Sequence, residues 1–231
     1  MEIFLDTANL KEIQRWLDYG VIDGVTTNPS IMLKDGGYNI EVRAKEIAAI
    51  IAPRPLSVEV TSNDHEEMLR QARIFATWAP NIVVKIPVIN EYGEPSLQVV
   101  RTLTDEGIKV NMTACLSLGQ VILGAKAGAT YVSIFAGRVS DEGHDASTLI
   151  QQAVKWLSHW GYESKIIVGS IREAINLQDA ALAGAHVITT PPQFLDKFID
   201  HHYSRATVRG FNQDAQQSLN KMEELRLRAS V

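Results

Sequence analysis

Residues 81–90 read NIVVKIPVIN, an apolar run with Lys85 in its middle. Successive side chains of an extended strand face opposite ways. Ile82, Val84 and Ile86 therefore share one face, and Val83 and Lys85 the other. An unpartnered ammonium costs several kcal/mol to bury. Lys85 is then a snorkelling surface lysine, half of a buried ion pair, or an amine held where it can attack a carbonyl. The sequence around it separates these readings.

On either side of Lys85, short β-type runs alternate with helix-type runs. EIFLDT precedes NLKEIQRWLDYG, in which Leu10, Ile13, Trp16 and Leu17 fall on one helical face. Asn9 with Glu12 predicts a capping-box variant, and Gly20 the stop. GVTTN is followed by a helix near 39–51, LSVEVT by one over 65–78, and IVVKIP by one near 95–106. KVNMTA precedes 117–127, YVSIFAG precedes 146–160, and SKIIVGS precedes 172–183. HVITT leads to a helix that Pro191 or Pro192 opens. No Pro/Gly/Ser-rich linker divides these eight units.

Strands alternating with helices imply a parallel sheet, and eight units in about 200 residues match a (β/α)8 barrel. An open doubly wound sheet is the alternative. No G-x-G-x-x-G follows the first strand, which counts against a dinucleotide-binding version of it. The barrel is expected over 1–201. Residues 202–231 are expected to form a polar linker, HYSRATVRG, and an amphipathic C-terminal helix with Leu219, Met222 and Leu225 on one face. That helix would pack on its own barrel or on a neighbouring subunit.

The bulk numbers bound the partners. The 231 residues are 45% hydrophobic and 21% charged, with a net charge of −5. This is ordinary for a globular protein and gives no basic footprint for nucleic acid. No apolar stretch approaches the roughly 18 residues of a membrane span. Glu2 and Asp6 occupy the place of a signal peptide's basic and apolar regions. A cytoplasmic location is the expectation. The single cysteine, Cys115, excludes an intramolecular disulfide and reads as a small buried hydrophobe.

Strand alternation then sorts the polar residues. The face shared with Lys85 carries Asp6, Asn28, Glu59, Asn111, Thr113 and Ser133, while the opposite face is nearly all apolar. In a barrel, helices cover the apolar face and the polar one lies inside. These residues come late in their strands, at the C-terminal mouth where barrel active sites sit. So many converging polar groups point to a site. A desolvated lysine among them has its pKa lowered and can form a Schiff base with a carbonyl. Lys109 and Lys165 stand at strand starts and read as solvated ends.

FLDTAN, GVTTNPS, VEV, VVKIPV, VNMTAC, SIFAGR and GSIRE together resemble, in order and spacing, the transaldolases, in their small single-domain form alongside the fructose-6-phosphate aldolases. The likeness covers essentially the whole chain. It implies that Lys85 is the Schiff-base lysine, attacking C2 of a ketose phosphate. It implies that Asp6 takes the C4 hydroxyl proton as the C3–C4 bond breaks, and that Glu59 and Thr113 hold a catalytic water. Asn28 and Asn111 would bind the dihydroxyacetone unit, with Ser133 and Phe135 nearby. Arg138, Ser170 and Arg172 match phosphate-binding positions, and guanidinium forks suit phosphate. The alternative for the two arginines is a surface ion pair.

No cofactor and no metal is called for, and His65, His144, His159, His186, His201 and His202 show no ligand spacing beyond the adjacent pair. The family also implies a homo-oligomer, a pentamer or decamer. Within it, aldolases pair glutamine with tyrosine where this chain has Glu59 and Phe135, the transferase pattern. A carboxylate relays protons and an amide does not. The expectation is a transaldolase acting on sugar phosphates. A fructose-6-phosphate aldolase, a deoxyribose-phosphate-type aldolase and a non-catalytic sugar-phosphate sensor are the alternatives.

Overall fold

A computed structural model of the chain describes residues 1–229. Its elements run β1 (Glu2–Asp6), α1 (Leu10–Asp18), β2 (Gly24–Thr26), α2 (Pro29–Lys34), α3 (Ile40–Ile51), β3 (Leu56–Glu59) and α4 (His65–Ala76). There follow β4 (Ile82–Pro87), α5 (Leu97–Asp105), β5 (Val110–Cys115), α6 (Leu118–Lys126), β6 (Tyr131–Phe135), α7 (Ala136–Asp141) and α8 (Ala146–Trp160). The last are β7 (Lys165–Gly169), α9 (Ile175–Leu182), β8 (Val187–Thr190), α10 (Pro192–Ile199) and α11 (His202–Ala229). The strands close in order, β1 to β8 and back to β1, into a parallel barrel. The chain is a (β/α)8 barrel with an additional C-terminal helix.

Alternation within the strands decides inside from outside. Leu5, Val25, Val84, Ile86, Val110, Met112, Val132 and Ile134 are fully buried on the outward face. On the inward face, Phe4, Val83, Tyr131, Ile167 and Val187 form one buried cluster. Phe4 meets Tyr131 edge-on at 6.0 Å. Burying each large side chain is worth about 1.5–3 kcal/mol. This layer is the floor of the site. Gly24 leaves room for it, since a Cβ there would stand 2.8 Å from the Phe4 ring.

The chain divides into two compact units, Met1–Pro192 and a second beginning at Gln193, earlier than the boundary at 201–202 expected from the sequence. Two expectations need correction. The segment 202–210 is not a linker but the first turns of α11, which runs unbroken for 28 residues. The capping box at α1 is incomplete. Asn9 caps the helix by accepting from the Lys11 and Glu12 amides. The Glu12 carboxylate, however, pairs with Arg15 at 2.6 Å, and the Asn9 amide donates to Thr7 Oγ1 instead. The short helices α2 and α7 have no counterpart in the sequence reading. Each follows a strand directly at the barrel mouth.

Candidate active site

The strand ends bring Glu59, Lys85 and Asn111 side by side, because Glu59 pairs with Lys85 in register across β3–β4 and Lys85 with Asn111 across β4–β5. Lys85 is 4% exposed. Its Nζ lies 3.0 Å from Glu59 Oε2 and donates to the Thr27 carbonyl at 2.8 Å. The lysine is therefore ion-paired, and it also lines a polar cavity. Of the readings open at the sequence level, the buried ion pair is the one seen directly.

The cavity has a volume of about 160 Å3. Asp6, Asn28, Lys85, Asn111, Thr113, Ser133, Phe135, Arg138 and Ser170, all expected from the sequence, line it together with Thr26, Gly169 and Thr189. Asn111 is fixed at both ends. Its Oδ1 accepts from Ser133 Oγ at 2.7 Å and its Nδ2 donates to Ser57 Oγ at 3.2 Å. Asn28 caps α2 through Oδ1, accepting from the Ile31 amide at 2.9 Å. Its NH2 is what remains for the cavity. Thr113 Oγ1 is buried and has no hydrogen-bond partner among the described residues. An unpartnered buried hydroxyl costs about 1–3 kcal/mol, so it marks a place for a polar guest. A bulge follows directly on Thr113, with Ala114 at φ 59°. Bulges of this kind re-aim neighbouring side chains next to active sites.

Asp6 opens to the cavity, yet burial still pushes its carboxyl above the usual range. The Lys85 charge and a 2.6 Å hydrogen bond from Thr26 pull the other way, and Glu59 and Asp35 add to the rise. Desolvation disfavours the charged form, and an opposite charge favours it. A carboxylate so placed accepts a proton more readily than an exposed one. Glu59, also expected from the sequence, is not in the cavity lining and reaches it only through its ion pair with Lys85. An amine, one carboxylate and an unpartnered hydroxyl lining one small cavity suit carbonyl chemistry with proton transfer.

The sequence profile of the Transaldolase/Fructose-6-phosphate aldolase family matches residues 3–230. The chain belongs to this family. It is 44% identical to "Probable transaldolase 2" of Listeria monocytogenes, over 93% of this chain and 95% of that one. It is 41% identical to "Probable transaldolase" of Dehalococcoides mccartyi, over 93% and 97%. Among solved structures, thiamine phosphate pyrophosphorylase from Pyrococcus furiosus superposes with a TM-score of 0.56 at 10% identity, over 82% of this chain and 85% of that one. At that identity the likeness is one of fold.

In this transaldolase/aldolase chain the two arginines part company. Arg138 lines the cavity and makes no ion pair among the described residues. Arg172 is exposed, and its Nη2 lies 2.8 Å from Asp141 Oδ2. It lines a neighbouring pocket with Asp141, His144 and Glu173, not the Lys85 cavity. Its side chain lies over Gly137. A Cβ at Gly137 would meet the Ser170 carbonyl at 2.1 Å and Arg172 Cγ at 2.8 Å. Ser170 itself takes a left-handed backbone, φ 58°. A non-glycine residue there stores about 1–3 kcal/mol of strain, a cost that clusters at ligand sites.

Thr26 and Thr189 were not among the site residues expected from sequence. The alternation that selected Asp6 and Lys85 also turns them inward, but a lone hydroxyl in a strand gives no chemical reason to single it out. Among the described residues no group of His, Cys, Asp and Glu side chains is arranged to hold a metal ion. No helix is long and apolar enough to cross a membrane.

Proposed function

We propose that this enzyme is a transaldolase that moves a dihydroxyacetone unit from a ketose phosphate to an aldose phosphate through a Schiff base on Lys85. The observation carrying the reading is the buried Lys85 amine, 3.0 Å from Glu59 and in one cavity with Asp6 and the unpartnered Thr113 hydroxyl. For attack on C2 the amine gives up a proton, and Glu59 is positioned to take it. A water held between Glu59 and Thr113 would shuttle protons while the imine forms and hydrolyses. Asp6 then accepts the C4 hydroxyl proton as C3–C4 breaks, and the iminium receives the electron pair.

Asn28 and Asn111 suit the hydroxyls of the three-carbon unit. Arg138 and Ser170 suit the phosphate. Arg172 joins them only if it leaves Asp141. Sugar phosphates are the partners of this reading, at a cytoplasmic site of carbohydrate metabolism. A homo-oligomer, pentamer or decamer, is part of the proposal. The exposed Val208, Phe211, Leu219, Met222 and Leu225 of α11 support an apolar contact between copies.

The test is borohydride reduction in the presence of fructose 6-phosphate, followed by peptide mapping. A three-carbon adduct on Lys85 is expected, and its absence overturns the Schiff-base reading. Release of glyceraldehyde 3-phosphate is then followed with and without erythrose 4-phosphate. Acceptor-dependent release is expected of the transferase that Glu59 and Phe135 favour. Equal release without acceptor identifies an aldolase.

A further inference from the structure

The short hydrogen bonds beside Asp6 form a directed chain. Asp6 Oδ1 accepts from Thr26 Oγ1 at 2.6 Å, and Thr26 Oγ1 lies 2.5 Å from Thr189 Oγ1. Thr26 is 2% exposed and Thr189 7%. Geometry alone leaves the donor of the second bond open, but proton counting closes it. An ionised carboxylate only accepts, and a hydroxyl has one proton. Thr26 gives its proton to Asp6, so Thr189 must donate to Thr26. The barrel order explains how they meet. β1 is flanked by β2 and β8, with Asp6 opposite Thr26 in register and Thr189 opposite Phe4. Hydroxyls from both flanking strands converge above the Phe4 floor. Asp6 Oδ2 accepts no hydrogen bond among the described residues, and Asp6 lines the cavity.

We propose that Thr189 is a positioning residue for the reaction. Its donation to Thr26 fixes the Thr26 hydroxyl on Oδ1, so that Asp6 presents Oδ2 to the substrate. The inference rests on the reading of Asp6 as the base. In the cleavage step the C4 O–H proton passes to Oδ2, and C4 becomes the carbonyl of the departing aldehyde. The C3–C4 electron pair becomes the C2–C3 double bond of the enamine and neutralises the iminium nitrogen. Both threonine protons stay in place. Lys85 from β4, Glu59 from β3 and Asp35 from the α2–α3 connection are the charged groups that act on Asp6. Thr189→Val changes none of them.

The experiment compares wild type with Thr189→Val, Thr189→Ser and Asp6→Asn, using fructose 6-phosphate as donor and erythrose 4-phosphate as acceptor. In Thr189→Val, kcat is expected to fall by about five- to tenfold, the worth of one hydrogen bond. The acid limb of its kcat–pH profile moves to higher pH, because ionised Asp6 has lost support. Donor KM and the rate of borohydride trapping on Lys85 stay unchanged, and Thr189→Ser restores both kcat and profile. An unchanged kcat and profile in Thr189→Val overturns the proposal. So does failure of Thr189→Ser to restore them, or a rise in KM with no movement of the acid limb. The underlying reading fails separately. Wild type that traps no adduct removes the Lys85 mechanism, and Asp6→Asn as active as wild type removes the base.

Discussion

Asp6 illustrates what a buried carboxylate costs its own fold. Its carboxyl is held above the usual range chiefly by burial. The folded chain then binds the Asp6 proton more readily than the unfolded one, whose carboxyl keeps its ordinary value near 3.8. Stability therefore falls as pH rises from there through the raised value. Asp6→Asn removes that cost. It is expected to raise Tm at pH 7.5, with the gain shrinking towards pH 4, while, on the proposed reading of Asp6 as the base, the rate falls by about 10²–10⁴-fold. Thermal melts across pH with steady-state assays check both; a lower Tm at pH 7.5 would refute the stability half. Cys115 is the opposite case. It is fully buried, and burial pushes its thiol up to about 12. Thiolate is the reactive form, so native enzyme should resist iodoacetamide at pH 8 and alkylate only on unfolding.

At the scale of elements, the mouth depends on two close fits. Asn28 both caps α2 and lines the cavity. The segment after β7 passes so near α7 that only glycine fits at 137. Gly137→Ala must push away the Ser170 carbonyl, which is backbone and cannot rotate aside. The segment 170–172 would shift, displacing Ser170 from the cavity. The donor KM for phosphorylated substrate should rise at least about tenfold, a loss on the scale of one charge-assisted phosphate contact. Turnover of unphosphorylated dihydroxyacetone as donor should change little. Equal losses on both donors would argue against a phosphate site at Ser170 and Arg138.

Across the whole molecule, the end of the barrel away from the site has its own pH dependence. His186 Nδ1 accepts from the Ile166 amide at 3.0 Å, and Lys165 pairs with Glu2 beside it. Burial, then the Lys165 charge, holds His186 below its ordinary 6.5. A histidine depressed in the folded state contributes stability that is complete above about 6.5 and declines as pH falls below it. Because Asp6 works in the opposite direction, the test is a difference: between pH 7.5 and 5.5 the Tm of wild type should fall more, or rise less, than that of His186→Asn, whose carboxamide oxygen can accept the same bond. An equal change in the variant would assign the effect elsewhere. On α11 none of the described side chains is buried. If its apolar side chains are covered by another copy, the particle mass in solution is a multiple of 25.6 kDa and truncation before His202 lowers it.

Period-two alternation was enough to place Asp6, Glu59, Lys85, Asn111, Thr113 and Ser133 on one face, because in a strand the direction of a side chain follows from parity alone. Counting strand–helix units was enough for the barrel, since parallel strands need crossovers and eight of them close. Helix continuity at 202–210 was not legible. Gly210 and the β-branched Thr207 and Val208 argue locally against a helix, but a nucleated helix propagates through such residues at about 1 kcal/mol or less each. The partners of Arg172, the bulge after Thr113 and the Thr189–Thr26–Asp6 chain join segments that are not neighbours in sequence. Their distances depend on barrel closure and register, and no local pattern encodes those. Residue chemistry and facing were thus determined by the sequence itself, while the tertiary structure decided which of the inward polar groups touch.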